Sequence, residues 1–331
     1  MKLVIGAGGF LGSHVVRRLV ADGEHVRVLV RESSDTRSID DLDIERFTGD
    51  LFDTDQVAAA MADCDVVFYC AVDTRAWLTD PAPLYRTNVE ALRSVLDVAA
   101  NAGLRKYVYT STIATIGRVT GRPVTESDAF NWHRHASDYV KSRVAGEELA
   151  LSYARDRGVP VVAMCVANTY GARDFQPTPH GQFVAAAALG KLPFTVRNCH
   201  AESVGIEDAA DALVLAATKG RAGERYIVSE RVMDLGEIIS IAASAGNRTP
   251  PRLVLHRPVL YLIGAVGSVR AALTRSPVQL TVTSVRLMNF MSPADHSKAE
   301  RELGWHPRPV TDSITAGARF WIDRVAQRAS R

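Results

Sequence analysis

Residues 2–23 read KLVIGAGGFLGSHVVRRLVADG: a short apolar run, a cluster of glycines, then a helical pattern. Val4 and Ile5 suit a buried strand, and LGSHVVRRLVADG has the apolar spacing of an amphipathic helix. Between them Gly6, Gly9 and Gly12 fall three apart, so the spacing is GxxGxxG, with Leu11 excluding GxGxxG. Glycines at such a turn let main-chain N–H groups approach a pyrophosphate, and the helix N-terminus adds partial positive charge. Gly6, Gly9, Phe10, Leu11 and Gly12 are the candidate pyrophosphate residues.

The pattern continues outward. HVRVLVR, IERFTGD, DVVFYCA, KYVYTST and PVVAMCVA are further β-rich runs separated by helix-length segments. Such alternation predicts βαβ units feeding a buried parallel sheet, an α/β fold of the Rossmann, doubly wound type. Beyond about residue 165, QPTPHGQF, RTPPRLVLHRP and LGWHPRPVTD interpose prolines and glycines between short elements. The expected division is a dinucleotide-binding domain over 1–165. Residues 166–331 then form mainly a smaller substrate lobe, with some segments returning to the first domain.

The 331 residues carry 39 basic and 37 acidic side chains, a formal net charge of +2, which excludes an electrostatic footprint for nucleic acid. The terminal RVAQRASR reads as a solvated tail. Cys64, Cys70, Cys165 and Cys199 lack CxxC or CxxH spacing, so neither a disulfide framework nor a metal site is expected, and a cytoplasmic location is. His133 and His135, without a carboxylate or cysteine cluster, read as loop residues facing substrate rather than ligands. The start of the chain lacks a leucine-rich core and cleavage site, so no signal peptide is expected. The apolar block VLYLIGAVGSV at 259–269 is too short to span a bilayer, so no transmembrane segment is expected; it could lie against a membrane or line an apolar pocket.

Strand VRVLV ends in Arg31, where dinucleotide enzymes preferring the unphosphorylated cofactor place an acid. An arginine there, with Ser33, Ser34 and Arg37 nearby, suits a 2′-phosphate, and the cofactor is read as NADP(H) before NAD(H).

With TGDLFD, YRTNVEAL, YTSTIATIG and DYVKSRVAGEE following the glycine turn in that order, the chain resembles the extended short-chain dehydrogenase/reductase family. It is similar to the branch holding dihydroflavonol reductases, 3β-hydroxysteroid dehydrogenases and hopanoid-associated sugar epimerases. The resemblance also covers NTYGARDFQPTPHG, GERYIVSE and SKAERELGWHPRP. It implies that Asp50 and Leu51 flank the adenine, that Ala71 and Val72 follow the fourth strand beside the cofactor, and that Asn88 steadies a water. Matching the closing Gly117 to the family's SSSATVYG puts Thr112 at the catalytic hydroxyl, with Ser111 as the neighbour if the match slips by one. The family's RPxNxYGP becomes CVANTYGA here, so Val166 and Asn168 fall near the nicotinamide while Cys165, Val166 and Ala172 replace an arginine and two prolines. A homodimer through the helix of Tyr139 is implied by resemblance alone.

The chemistry of DYVKSRVAGEE, residues 138–148, follows from helix geometry. Moving a hydride to or from a carbinol carbon requires a group that exchanges the hydroxyl proton, and a tyrosine beside a fixed cation suits that task. Residues four apart share a helix face, so Tyr139 is matched by Arg143 and not by Lys141, and the family's YxxxK is YxxxR. Arginine stays charged and can donate to ribose hydroxyls and depress the tyrosine pKa, but it does not readily relay a proton. Three readings follow. The first is an NADP(H)-dependent oxidoreductase acting on a ketone or secondary alcohol of an apolar small molecule, with Tyr139, Thr112 and Arg143 as its machinery. The others are a sugar-nucleotide epimerase or dehydratase with bound NAD, which Arg31 disfavours, and a nucleotide-binding protein with impaired catalysis.

Overall fold

The computed structural model describes residues 1–78, 80–274, 285 and 292–329, so the last two residues of the basic tail lie outside the description. The expected runs become strands β1 (Lys2–Ile5), β2 (Val26–Val30), β3 (Glu45–Thr48), β4 (Val66–Tyr69), β5 (Lys106–Thr112) and β6 (Val161–Val166). Two shorter strands, β7 (Asn168–Tyr170) and β8 (Phe194–Val196), and then β9 (His200–Gly205) open the second lobe. β10 (Arg225–Val228), β11 (Arg231–Asp234) and β12 (Leu253–Leu255) complete the set.

Seven strands form one parallel sheet in the order β3-β2-β1-β4-β5-β6-β10, which reverses direction of growth between β1 and β4. Period-two alternation sorts its side chains. Leu3, Ile5, Val67, Tyr69, Tyr107 and Tyr109 face one layer, and Val4, Val66, Phe68 and Val108 the other. Both faces are covered, which is why the strands read as nearly continuous apolar runs. The first layer holds helices α2 (Thr54–Met61), α4 (Ala91–Ala99) and α5 (Asp138–Arg157), entered through a short α3 (Ala82–Tyr85) and a π-helical turn at Arg86–Glu90. The second holds α1 (Phe10–Ala21), α7 (Ile206–Lys219) and α10 (Ser297–Leu303).

The chain thus crosses to the second lobe after β6 and comes back. β10 adds to the sheet beside β6, and α7 packs on α1. Asp208, at the first turn of α7, accepts from Arg308 Nε at 2.9 Å, and its carbonyl accepts from Trp305 Nε1 at 2.8 Å. That acid ties the returning helix to the C-terminal segment. The lobe itself packs α6 (Pro179–Ala188), α8 (Leu235–Ala245) and α11 (Val310–Ala329) around Tyr170, Val184, Ile238 and Ile314. Beside it, α9 (Arg257–Thr274) covers the β8–β12 pair through Leu260.

Candidate active site

Strand-order reversal opens a crevice at the carboxyl ends of β1 and β4, and the glycine turn lies there. Gly6 has φ +82°, and a Cβ on it would stand 2.6 Å from the Ala71 nitrogen. A Cβ on Gly12 would stand 2.3 Å from the Gly6 carbonyl oxygen. Both positions therefore demand glycine, and the first brings Ala71 against the turn. Helix α1 starts at Phe10 with no side-chain cap and no acid in its first turn, leaving its N-terminal N–H groups to an anion. Those features fit a dinucleotide pyrophosphate.

The loop after β2 lies beside this turn, for Ser38 Oγ donates to the Gly8 carbonyl at 3.2 Å. Arg31 is exposed, and its backbone closes a tight turn with Ser34: Ser34 Oγ accepts from Arg31 N and Ser34 N donates to Arg31 O, both at 2.9 Å. Ser33 is exposed. Arg37 departs from expectation. Its guanidinium is paired with Asp35, Nε to Oδ1 at 2.8 Å, and the pairing drives the Asp35 carboxyl far below its usual range. A phosphate would have to compete with that carboxylate for Arg37, while Arg31 has no such partner among the described residues. Gly49 N donates to the Val30 carbonyl at 2.9 Å, which sets exposed Asp50 and half-buried Leu51 next to the same strand end. Val72 is exposed just past β4.

Helix α5 begins at a Ser137 cap whose Oγ accepts from Val140 N, and ends at Gly158 in the left-handed region. Tyr139, Arg143 and Glu147 follow each other at four-residue steps on its sheet-facing side. Arg143 is 2% exposed, and its Nη2 donates to the Thr110 carbonyl on β5. The guanidinium carbon lies 5.5 Å from the centre of the Tyr109 ring. Tyr109 lies tilted against Tyr69 at 6.1 Å and Tyr69 stacks with Tyr107 at 6.2 Å, so the ring over which the cation lies belongs to a row of electron-rich rings. Arg143 Nε has no hydrogen-bond partner among the described residues. Lys141 points elsewhere and pairs with Asp138 at 3.2 Å.

Tyr139 is half-buried in an apolar patch with Ala114, Phe130 and Trp132. Burial raises its phenol pKa above the usual value, the Arg143 charge pulls it back, and nearby Asp73 adds to the rise. The expectation of a net depression by Arg143 is thus reversed in the protein alone: the cation acts in the expected direction, but loss of water around the ring outweighs it.

Thr112 and Ser111 separate cleanly. Thr112 ends β5, half-exposed, with its Oγ1 accepting from Ala114 N at 3.3 Å. Ser111, on the opposite face of the strand, is 3% exposed, and its Oγ donates to Glu147 Oε2 at 2.5 Å. Thr115 Oγ1 donates to the same oxygen at 2.8 Å, and Arg225 Nη1 donates to Glu147 Oε1 at 3.0 Å. Ser111 is therefore committed beneath the site, and the candidate hydroxyl is Thr112. Asn88 differs from expectation as well. Its Oδ1 accepts from Asp73 N at 2.8 Å, and its Nδ2 donates to the Asp73 carbonyl and to Ser142 Oγ, both at 3.0 Å. It clamps the loop after β4 to α5 and keeps no donor for a water. Val166 sits beside Thr112 in the β5–β6 register, and Asn168 opens β7, half-buried. Exposed His133 meets Phe130 edge-on at 4.5 Å.

Glu147, Trp132 and Asp73 were not anticipated. Glu147 had a readable signal, the four-residue step from Arg143. Asp73 and Trp132 had none short of the fold.

A family model for NAD dependent epimerase/dehydratases matches residues 2–229. The chain belongs to that family. As an extended short-chain dehydrogenase/reductase it is 29% identical to the sterol demethylase protein B of Methylococcus capsulatus, over 97% of each chain. It is 28% identical to a 4-hydroxy-2-methyl-3-oxo-4-farnesyl-3,4-dihydroquinoline-1-oxide ketoreductase of Stigmatella aurantiaca, over 92% of this chain and 91% of that one. The crystal structure of gox2253 superposes with a TM-score of 0.85 at 31% identity, covering 98% of both chains. Homologues in the family include reductases, epimerases and dehydratases.

Proposed function

We propose that this protein is an NADP(H)-dependent oxidoreductase interconverting a ketone and a secondary alcohol on an apolar small molecule. The observation that carries the reading is the inward Arg143: a guanidinium one turn from Tyr139, held against the Thr110 carbonyl and not released to solvent. Tyr139 is the acid or base for the substrate oxygen, exchanging its phenolic proton, and Thr112 Oγ1 orients that oxygen by hydrogen bonding. Arg143 stabilises negative charge on the phenol without leaving the site. The turn at Gly6–Gly12 holds the pyrophosphate, and Arg31 grips the 2′-phosphate. A nicotinamide dinucleotide supplies or accepts the hydride. The Phe130 and Trp132 wall beside Tyr139 excludes water and favours an apolar substrate, and relatives named for a sterol and for a farnesylated quinoline support that class.

The test is calorimetric titration with NADPH and NADH, followed by a carbonyl screen of the parent beside Arg143→Lys. Tighter NADPH binding and turnover by the parent support the reading. One observation favours a second reading, a nucleotide-binding protein with impaired catalysis: Arg143 spends a donor on a backbone carbonyl and leaves Nε without a partner. If only Arg143→Lys turns over any carbonyl, that second reading replaces the first. A UDP-sugar bound beside a non-exchanging NAD would move the assignment to an epimerase or dehydratase.

A further inference from the structure

Helix α9 has two apolar sides. Leu260 is buried against Val196, Cys199 and Val285, and this side fastens the helix to β8. The other side carries Val259, Leu262, Ile263 and Val266, all exposed, Leu262 at 67% and Val266 at 64%. Their i, i+3, i+4, i+7 spacing makes one continuous stripe along the helix. A single exposed leucine is ordinary on a soluble protein; four large apolar side chains aligned on one helix mark a contact surface.

The stretch of chain that holds the stripe is one-sided in charge. From Ile238 to Ala294 the chain carries no aspartate and no glutamate but six arginines, although acids and bases nearly balance over the whole sequence. Arg248, Arg252 and Arg270 are exposed. The acids at the start of neighbouring α8 are engaged: Glu237 accepts from Arg231 Nη2 at 2.7 Å, and Asp234 Oδ1 accepts from Gly236 N at 2.8 Å. No helix among the described residues is long and apolar enough to cross a membrane.

We propose that α9 docks this protein onto the surface of an anionic lipid bilayer, its stripe lying in the plane of the interface and arginines of this acid-free stretch meeting headgroup phosphates. An apolar stripe within an acid-free, arginine-bearing stretch is the pattern of an in-plane helix, which combines burial in the acyl boundary with attraction to anionic lipid. A second copy of the chain fits the surface less well, because it would set the same arginines against each other.

The experiment is co-sedimentation of the full chain with vesicles of phosphatidylcholine, and of phosphatidylcholine containing about one-third phosphatidylglycerol. The parent pellets with the anionic vesicles, less so at high salt, and stays in solution with the neutral ones. The Leu262→Glu/Val266→Glu variant, with circular dichroism and melting temperature matching the parent, loses anionic-vesicle partitioning by about tenfold or more. A parent that remains in the supernatant with anionic vesicles overturns the proposal, as does a folded variant that pellets equally. Sedimentation velocity supplies a third overturning result: a parent dimer that the variant dissolves, without vesicle binding by either, makes the stripe a contact between copies.

Discussion

Arg143 donates to the carbonyl of Thr110, so the cation of the candidate site is anchored to the strand that ends in Thr112. Its charge also lowers the Tyr139 phenol against the effect of burial. In Arg143→Met that pull disappears. NADPH affinity should fall about tenfold or more, and the high-pH limb of a carbonyl-reduction profile, where the phenol is the acid, should move to higher pH, since the phenol then titrates later. Arg143→Lys keeps the charge and removes the partnerless buried Nε, so its NADPH affinity should stay within about fivefold of the parent. Calorimetry and a pH profile check both. Unchanged NADPH binding by Arg143→Met would remove Arg143 from the site.

Thr112 and Ser111 make a paired test because strand alternation gives them different neighbours. Thr112→Val keeps the shape and deletes the hydroxyl, so turnover should drop by about a hundredfold with little change in melting temperature. Ser111→Ala deletes a buried donor to Glu147, leaving the carboxylate with Thr115, Cys165 and Arg225. It should cost about 1–3 kcal/mol of stability while turnover per folded molecule changes little. Denaturant melts and initial rates separate the two effects. The reverse pattern, with Ser111→Ala dead and Thr112→Val active, would shift the catalytic hydroxyl by one residue.

The parallel sheet was legible because β1, β2, β4, β5 and β6 are buried on both faces and so read as valine-rich runs between turns. The glycine turn and the Tyr139–Arg143 step were legible because both are local spacings. What stayed hidden depends on pairings between distant segments. Glu147 meets Ser111 and Arg225 across 36 and 78 residues of chain, and Asn88 reaches Ser142 across 54. An Asn side chain that can hold a water can equally hold a backbone loop, and only the folded position of Asp73 decides. The pairing of Arg37 with Asp35 is local, yet a basic residue near a phosphate-binding turn looks the same with or without it.

That pairing separates two arginines in cofactor choice. Arg31→Asp replaces the exposed cation at the end of β2 with the acid that favours a free ribose hydroxyl. The ratio of NADPH to NADH affinity should fall by about a hundredfold or more, from losing one charge-assisted contact and adding a repulsion. Arg37→Ala should change the ratio by about threefold or less, because its guanidinium already serves Asp35. Titration of both dinucleotides against each variant decides. Equal losses in the two variants would mean that Arg37 leaves Asp35 when the phosphate binds.

Two buried histidines make the fold acid-sensitive, and carboxyls raised by burial, Asp174 with Glu126, Glu202 and Asp211, work against them. His14 is buried on α1, its Nδ1 donating to the Phe10 carbonyl at 2.9 Å, and burial lowers its pKa to about 4. His180, beside the Tyr170 ring at 5.2 Å, is likewise lowered by burial to about 4. The unfolded chain protonates these rings near the ordinary 6.5, whereas the folded chain resists until about 4. Between those values acid favours the unfolded state, by of order 3 kcal/mol for His14 and less for the partly exposed His180. Asp174 has the opposite sign. Burial raises its carboxyl to about 6, so the folded chain holds that proton where the unfolded chain has released it, and lowering the pH through about 6 towards 3.8 stabilises the fold. The His14 contribution should lower the melting temperature as the pH falls from about 7 to about 4.5, and the Asp174 contribution should raise it from about pH 6 downward. His14→Gln should flatten that fall, and Asp174→Asn, which cannot take up the compensating proton, should steepen it. Scanning calorimetry across the range checks each slope, and a His14→Gln profile parallel to the parent would show that His14 titrates normally in the fold.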